Sequence, residues 1–362
     1  MKTLRPLVLG LCLALPGAAM AQQVLNMDLR AAIADTNDFA RYCAGGDIPA
    51  DAQLEPVYAL NATEEYGSDQ ATQDFAWAVM VLGGHALGGD GAARDRLEAL
   101  LLTWANAEAL VGTERVHDAV YALKRTLLPT IVSYSIIRAD LPAASQTILD
   151  RWLGSLVEIA GTEFGGDVDQ NNHRYLADSV LVAWGALTED AGLLDKAEAR
   201  LRLALTGQLR EDGSWPLETR RGARALWYTR QSLSSLGFII ATLENSGRDV
   251  LADDGIRRGY ETAMSFFLDG IDAPIIVTKY AAENYIPGPS EDYANQDMSF
   301  LQTRPHGRHY MAFLALADHL VIDPFLKTRI ERLIGTLPAA AFPMIDEFSG
   351  GNASCFWGGG NA

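Results

Sequence analysis

Apolar residues recur at intervals of three and four along most of the chain, as in Leu97, Leu101, Trp104 and Ala105. This spacing places apolar side chains on one face of an α-helix, whereas the alternation typical of strands is scarce. The best short strand candidate is the Ile-Ile-Val run at residues 275–277. The pattern predicts helices over residues 27–40, 70–86, 92–110, 115–138, 141–160, 174–188, 191–207, 218–244, 251–268, 298–320 and 323–335. We therefore expect an all-α protein.

The connections between the predicted helices are mostly short, which favours antiparallel pairs. Paired helices closed into a ring, an (α/α) toroid, are one way to place this many around a single centre. Periodicity alone does not distinguish a toroid from a bundle or a helical solenoid. No Pro/Ser-rich linker or clear repeat interrupts residues 22–362, so we predict one domain there. Residues 61–70 and 269–297 are candidate lids or binding walls, with ordinary surface loops as the alternative.

The amino terminus has the features of an export signal. Lys2 and Arg5 supply a basic start, residues 7–15 are apolar, and residues 19–21 read Ala-Met-Ala, a small-residue cleavage pattern. We therefore predict that residues 1–21 are removed as the protein is exported to the periplasm or the medium. No later apolar run approaches the length of a membrane span, so no membrane partner is expected.

The chain carries 29 basic and 46 acidic side chains, a net charge of −17. A charge this negative argues against nucleic acid and anionic membrane surfaces as partners. It is compatible with an anionic substrate where basic groups gather locally. Such a gathering is seen at Arg174, Arg220, Arg221, Arg224 and Arg230. We expect the protein to act as a monomer.

Two cysteines, Cys43 and Cys355, remain after removal of the signal, near opposite ends of the chain. In an oxidising compartment they can form a disulfide that clamps the termini, and the sequence leaves open whether they do. His306 and His309 have a spacing that some metal ligands use, without an evident carboxylate or cysteine partner. We therefore predict no metal and no other cofactor.

A polar cluster at residues 169–175, Asp-Gln-Asn-Asn-His-Arg-Tyr, directly precedes a helical pattern. At a helix entrance the free backbone N–H groups and the dipole favour an anion. A second stretch follows about forty residues later, where the turn at residues 212–214 and Pro216 lead into the helix predicted from Glu218.

On a continuous helix, Arg221, Arg224 and Tyr228 would lie on one stripe, at i, i+3 and i+7. Two guanidiniums and a phenol suit the binding of a carboxylate and the transfer of a proton. Taken singly, each group has an ordinary alternative: a solvated or ion-paired arginine face, a half-buried tyrosine, and, for His173, a capping or core histidine.

Together the two stretches resemble the alginate lyases of polysaccharide lyase family 5, the periplasmic mannuronate lyases. The resemblance rests on Asn171-Asn172-His173-Arg174-Tyr175 and on Asp212-Gly213-Ser214 through Pro216-Leu217-Glu218 to Arg221 and Ala225-Leu226-Trp227-Tyr228. Residues 66–69 and 103–110 are similar to the lid and to a helix of that family. The similarity is strongest over residues 55–245.

This resemblance implies an (α/α) toroid with a deep groove that cleaves mannuronate-rich alginate, an anionic polysaccharide, by β-elimination without a metal. It assigns the carboxylate-neutralising and proton-transfer roles to Asn172, His173, Arg221 and Tyr228. We expect the surrounding substrate contacts to come from Asn171, Arg174, Tyr175, Tyr66, Arg224, Arg230, His309 and Tyr310.

The sequence also departs from the family pattern. Thr229 and Arg230 follow the tyrosine where the family usually has His-Asn, and Leu176 stands where it often has tryptophan. The family lid tends to be basic, whereas residues 64–65, just before Tyr66, are both glutamates. These differences concern the identity of the polymer more than the type of reaction.

The proposed chemistry explains why these residue types are needed. The C5 proton of a uronate becomes removable when the adjacent carboxylate is neutralised, for example by Asn172 together with His173 or Arg221. Tyr228 can then be both base and acid, or His173 can be the base and Tyr228 only the acid. A free phenol titrates near 10, so the first scheme requires nearby cations, a guanidinium and an imidazolium.

Three other functions remain open from the sequence. An inverting glycoside hydrolase would need two carboxylates roughly 6.5–9.5 Å apart; the candidates are Asp167, Asp169, Glu218 and Asp292. A periplasmic glycan-binding protein without activity would bind the polymer and release nothing. A lyase for another uronate polymer, such as polyglucuronate, would use the same chemistry on a different chain.

Overall fold

The structure is a computed structural model that describes residues 23–28, 37–60, 70–283 and 293–357. Its α-helices, numbered along the chain, are α1 Asn37–Cys43, α2 Gln70–Leu87, α3 Gly91–Asn106, α4 His117–Ile137, α5 Ala143–Ala160, α6 Asn172–Thr188, α7 Ala191–Arg202, α8 Pro216–Thr219, α9 Ala225–Asn245, α10 Asp254–Asp272, α11 Ile275–Ala281, α12 Phe313–Leu320, α13 Pro324–Thr336 and α14 Ala353–Phe356. The strands β1 Ile345–Asp346 and β2 Gly351–Asn352 form an antiparallel pair. The predicted all-α class is confirmed.

The longer helices form an inner and an outer layer that alternate along the chain. The inner helices are α2, α4, α6, α9 and α12, and each of them packs on the next one in this order. The helices α3, α5, α7, α10 and α13 pack outside them. Inner helices are buried nearly all round, whereas outer helices bury a single apolar stripe. This is the arrangement of an (α/α) toroid, as predicted.

Three outer helices begin in the same way. Asp90, Asp190 and Asp253 each accept hydrogen bonds from two backbone N–H groups of the first turn, at the starts of α3, α7 and α10. An aspartate at this position satisfies donors that the helix itself leaves free. It thereby fixes the point at which the chain turns from the inner layer to the outer layer.

Within the described parts of the chain, none of the helices is long and apolar enough to cross a bilayer.

Two predicted helices differ from the observed ones. The helix predicted over 218–244 is broken, because Gly222 adopts a φ of +57°, and α9 begins only at Ala225. The helix predicted over 298–320 begins only at Phe313. Before it, the residue preceding Pro305 is extended and His306 has a φ of +65°, neither of which continues a helix.

Smaller corrections concern two other segments. The strand candidate at residues 275–277 is wrong, since these residues begin α11. The helix predicted over 191–207 is α-helical only to Arg202 and continues as a short π-helix from Leu203 to Gly207. Of the helix predicted over 27–40, residues 29–36 lie outside the described residues.

The carboxy-terminal segment joins the two ends of the inner layer. The short helix α14 contacts α1, α2 and α12. Cys355 in α14 forms a disulfide with Cys43 at the end of α1, with a Cα–Cα distance of 4.7 Å. The disulfide that the sequence left open is therefore present, and it fastens the beginning of the described chain to its end.

Removal of this disulfide is expected to destabilise the protein. In the Cys43→Ser/Cys355→Ser double variant the unfolded chain loses a cross-link between residues 312 positions apart. The free energy of unfolding should fall by about 2–5 kcal/mol, chiefly because the unfolded state gains conformational freedom. Chemical denaturation measures the change, and wild-type protein with its disulfide reduced is the matched control. Equal free energies of unfolding for oxidised wild type and the double variant would contradict this expectation.

Candidate active site

The polar cluster identified in the sequence forms the first turn of α6. The Asn171 side chain caps the helix by accepting a hydrogen bond from the His173 backbone N–H at 2.9 Å. The Asn172 backbone N–H donates to Glu218 Oε1 at 2.6 Å. The place at this helix terminus where an anion was expected is therefore taken by the carboxyl group of Glu218, which reaches it from α8.

The Asn172 side chain joins α6 to α9. Its amide nitrogen Nδ2 donates to Gln231 Oε1 at 2.6 Å, and the side chain is almost fully buried. Gln231 lies three residues after Tyr228 on α9, so the two are neighbours on one side of that helix. The hydrogen bond thus brings the start of α6 to the part of α9 that carries the phenol.

Arg221 and Tyr228 meet, although the continuous helix predicted for them is wrong. The central carbon of the Arg221 guanidinium lies 3.7 Å from the centroid of the Tyr228 ring. Both side chains are largely buried, with 8% and 6% of their surfaces exposed. Arg224 does not continue the predicted stripe, because its Nε lies 3.7 Å from Asp297 Oδ2 and it follows the break at Gly222. The cation beside the phenol is therefore Arg221.

His173 sits among aromatic rings and is uncharged near neutral pH. Ring centroids of Tyr121, Phe164 and His117 lie 4.6, 5.2 and 5.1 Å from its own. Burial, followed by the positive charge of Lys124, holds the pKa of His173 well below its ordinary value of 6.5. This lowered pKa favours the neutral imidazole over the imidazolium expected beside the phenol, a form that can donate a hydrogen bond or accept a proton.

Sequence reasoning missed Lys124, which lies directly behind His173. Its ammonium donates to the His173 carbonyl oxygen at 2.7 Å and lies 3.3 Å from the centroid of the Phe164 ring. The side chain is fully buried, and burial lowers its pKa well below 10.5. The available signal was a lone lysine at a core position of the apolar helix α4.

From the sequence, Glu218 belonged to the family-like motif, and the one chemical role considered for it was that of a hydrolase carboxylate. In the structure it is fully buried, and its Oε1 accepts hydrogen bonds from the Asn172 N–H and the Ser232 hydroxyl, both at 2.6 Å. Burial raises the pKa of Glu218 to about 7, against the opposing effects of the Ser232 hydrogen bond and the Arg221 charge. Glu218 thus contacts both helices of the site.

Arg174 and Tyr175 are hydrogen-bonded to other parts of the chain. Arg174 donates to the backbone carbonyls of Phe164, at 3.0 Å, and Gly166. The Tyr175 hydroxyl donates to Gln208 Oε1 at 2.9 Å. Both side chains are thus engaged by the loop before α6 and by the segment after α7, and their prediction as substrate contacts stays a prediction.

Arg230 and His309, two of the predicted substrate contacts, are both fully buried. The Arg230 guanidinium donates to the Tyr310 carbonyl oxygen at 3.1 Å and lies within 5.1 Å of the ring centroids of Trp227, Tyr310 and Phe348. Two positions beyond Tyr228, its side chain leaves α9 on a different side, toward the carboxy-terminal segment. Tyr310 is only half-buried and stays a candidate contact.

A cluster of arginines and carboxylates lies on the far side of Tyr310. Arg304 donates to Asp346 Oδ1 at 3.0 Å and to Glu347, and Arg125 also donates to Glu347. Although burial opposes it, the guanidiniums of Arg304 and Arg125 hold the pKa of Glu347 well below its ordinary value. Burial and the Glu347 charge raise the pKa of Asp346 to about 8. Sequence reasoning missed this cluster because its members are far apart in the chain.

The two histidines considered as metal ligands point to different partners. His306 Nε2 lies 2.6 Å from Asp74 Oδ1, whereas His309 Nδ1 accepts a hydrogen bond from the Met311 N–H. Among the residues described, no three potential His, Cys, Asp or Glu ligands lie together. Tyr66, the glutamates at 64–65 and Asp292 lie outside the described residues.

Comparisons with a protein-family model and with known proteins point to the same family. A protein-family model described as Alginate lyase matches residues 34–276. A polysaccharide lyase of Stenotrophomonas maltophilia is 27% identical over 166 residues, 44% of this chain and 50% of the relative. An alginate lyase of Pseudomonas putida GB-1 is 26% identical over 204 residues, 53% of this chain and 55% of the relative. The chain thus spans about half the length of these curated relatives.

Solved structures share the fold over nearly the whole chain. A histidine-to-alanine variant of alginate lyase A1-III complexed with a tetrasaccharide matches with a TM-score of 0.69 and 20% identity, covering 94% of this chain and 97% of that one. A tyrosine-to-phenylalanine variant in the same kind of complex matches with a TM-score of 0.72 and 19% identity, covering 94% and 96%. At these identities the likeness shows the fold alone.

Proposed function

Because the chain belongs to the alginate lyase family, we propose that it is a polysaccharide lyase that cleaves a uronate polymer by β-elimination, with mannuronate-rich alginate as the preferred substrate. The observation that carries this proposal is the meeting of two distant stretches. Arg221 stacks on the Tyr228 ring, while Asn172 is bonded to Gln231, one turn further along the same helix. A carboxylate-binding group is therefore in contact with the phenol, and an amide is bonded to the next turn of the same helix, which supports a shared site.

In the proposed reaction, Arg221 and the second N–H of the Asn172 amide neutralise the carboxylate of the bound uronate. The negative charge that develops there as C5 loses its proton is then stabilised. Tyr228, as phenolate beside the Arg221 guanidinium, accepts the C5 proton. The C4–O bond breaks, a C4=C5 double bond forms, and the phenol returns its proton to the departing glycosidic oxygen.

His173 provides an alternative base for the same reaction. As a neutral imidazole it can accept the C5 proton, in which case Tyr228 protonates the leaving oxygen. Both solved variants named above, bound to a tetrasaccharide, replace a histidine or a tyrosine, the residue types of His173 and Tyr228. Elimination by either route leaves the same unsaturated sugar end.

An inverting hydrolase is less well supported, because the described carboxylates are engaged elsewhere. Glu218 is fully buried and hydrogen-bonded through Oε1 to Asn172 and Ser232. Asp169 Oδ2 accepts from the Gly166 N–H, and Asp167 Oδ1 accepts from the Gln170 amide. None of these contacts places two carboxylates on opposite sides of a shared space.

We also propose that the protein is exported, with residues 1–21 removed, and that it acts in the periplasm or the medium. The buried disulfide between Cys43 and Cys355 supports this proposal, because such bonds persist in oxidising compartments and are rare in the cytosol. Fractionation of the native host tests it. Retention of the protein in the cytosol with residues 1–21 intact would contradict it.

A substrate panel tests the proposed activity. Purified protein is incubated with polymannuronate, polyguluronate, glucuronan and a neutral glycan, and the ultraviolet absorbance of unsaturated ends is followed. We expect the fastest rise with polymannuronate and none with the neutral glycan. A faster rise with glucuronan would move the substrate to another polyuronate. Release of reducing ends without absorbance would identify a hydrolase, and binding without release would identify a glycan-binding protein.

A further inference from the structure

Glu218 occupies a place that the proposed reaction does not explain. It is a fully buried acidic residue three positions before Arg221, and it belongs to the short helix α8 that leads to the Gly222 break. Buried carboxylates are costly unless their oxygens are hydrogen-bonded or their charge is compensated. A residue of this kind at the centre of a site calls for a specific role.

One oxygen of Glu218 contacts both helices of the site. Its Oε1 accepts the backbone N–H of Asn172, at the first turn of α6, and the hydroxyl of Ser232 on α9, each at 2.6 Å. Ser232 lies four residues after Tyr228, one turn further along α9. A single atom therefore connects the segment that carries Arg221 with the helix of His173 and the helix of Tyr228.

We infer that Glu218 is a positioning residue for the proposed elimination: through Oε1 it fixes Arg221, His173 and Tyr228 relative to one another. This inference rests on the proposed function. Glu218 itself acts through its neighbours, because it has no exposed surface with which to meet a sugar. Since the helical conformation is interrupted at Gly222, the Arg221 segment is not held by α9 itself, and the Glu218 contacts tie it to both helices.

The hydrogen bond from the Asn172 backbone N–H to Glu218 also stabilises the first turn of α6. A carboxylate at the entrance of α6 satisfies one of the backbone donors that a helix leaves free, as an N-cap side chain would. Asn171 and Glu218 together take up the first two of these donors, at His173 and Asn172. The first turn is thereby held in the orientation that directs the Asn172 amide to Gln231.

The charge of Glu218 is not essential to this role. Its pKa of about 7 means that the neutral form is well populated near neutral pH. No hydrogen-bond partner for Oε2 is found among the described residues, which fits a group that tolerates loss of its charge. A glutamine can keep the acceptor at Oε1, whereas an alanine removes it.

The test compares Glu218→Ala, Glu218→Gln and Ser232→Ala with wild type under saturating and limiting polymer. We expect Glu218→Ala to lower kcat by about 10²-fold, the effect of a small misplacement of reacting groups, with little change in KM. Glu218→Gln should turn over about tenfold faster than Glu218→Ala, the factor that a retained hydrogen bond supplies. The kcat of Ser232→Ala should lie between the kcat of wild type and that of Glu218→Ala.

Glu244→Gln is the matched control. Glu244, at the far end of α9, is a partly buried glutamate whose Oε1 likewise accepts a backbone N–H, that of Leu251 at 2.9 Å. This variant should keep wild-type kcat and KM. A folded Glu218→Ala variant with wild-type kcat, or one altered only in KM, would overturn the inference, as would a glutamine variant no better than alanine.

Hydrogen exchange of the peptide spanning residues 170–176 separates this inference from the proposed function. The amides of this first turn should exchange slowly in wild type and Glu218→Gln and faster in Glu218→Ala, whether or not any polymer is cleaved. Inactive wild type with this exchange pattern would refute the lyase proposal and leave the placement of α6 by Glu218 intact. Equal exchange in all three proteins would refute the placement itself.

Discussion

Tyr228→Phe is expected to lower kcat by about 10²–10⁴-fold, the usual contribution of a general acid or base. The phenol is the group that returns a proton to the leaving oxygen in both schemes, and phenylalanine has no proton to give. The ring itself, stacked at 3.7 Å from the Arg221 guanidinium, is retained, so Arg221 should stay in place. Initial rates of unsaturated-end formation measure the loss of proton transfer. The affinity for the polymer shows whether Arg221 stays in place.

Tyr260→Phe serves as the control for this prediction. Tyr260 is another buried tyrosine, on the outer helix α10, and its hydroxyl makes a long hydrogen bond of 3.4 Å to the Leu233 carbonyl oxygen. Its removal should leave turnover unchanged. Wild-type turnover by a folded Tyr228→Phe variant would remove Tyr228 from the mechanism.

His173→Ala is expected to lower kcat by about 10²–10³-fold, the effect of losing one preorganised polar group at the reacting centre. His173→Gln should recover part of this loss if His173 donates a hydrogen bond to the substrate carboxylate, and none if it is the base. His319→Gln, on the inner helix α12, is the control and should be fully active. Wild-type turnover by His173→Ala would exclude both roles.

The same residue predicts a dependence of stability on pH. The unfolded chain binds a proton at His173 near pH 6.5, whereas the native side chain, with its lowered pKa, does so only at lower pH. The native state therefore binds fewer protons in this window, and its free energy of unfolding falls as the pH drops below 6.5. Chemical denaturation of His173→Gln should show a shallower fall. An identical pH dependence for wild type and this variant would place the His173 pKa near its ordinary value.

Much of the fold could be predicted because helical periodicity is a local property. Outer helices such as α3 and α5 bury one stripe of side chains, and their positions agree with the sequence pattern. The failures occur where a single backbone conformation overrides that pattern. Gly222 with its positive φ divides one predicted helix, and the turns around His306 delay another until Phe313.

The site was predicted in its residue types and only partly in its geometry. The sequence identified Asn172, His173, Arg221 and Tyr228, because they form short motifs around a helix start and a turn. It did not indicate that Glu218 would join them, since the contact between residues 172 and 218 spans two helices.

Burial explains the remaining errors. Lys124 looked like an ordinary helix residue, and Arg230 looked like part of a basic surface, yet both are fully buried. Whether a charged side chain faces solvent or the interior depends on which helices pack against it. Periodicity places Arg230 on a given side of α9 but does not show that the carboxy-terminal segment covers that side.

A crystal structure of Tyr228→Phe with a mannuronate tetrasaccharide tests the account most directly. We predict that one uronate carboxylate contacts the Arg221 guanidinium and the Asn172 amide, with the C5 hydrogen of the same sugar directed at the edge of the ring at position 228. His173 should lie beside that sugar as well. A tetrasaccharide bound elsewhere, or a sugar that touches Arg221 while its C5 hydrogen points away from both Tyr228 and His173, would contradict the account.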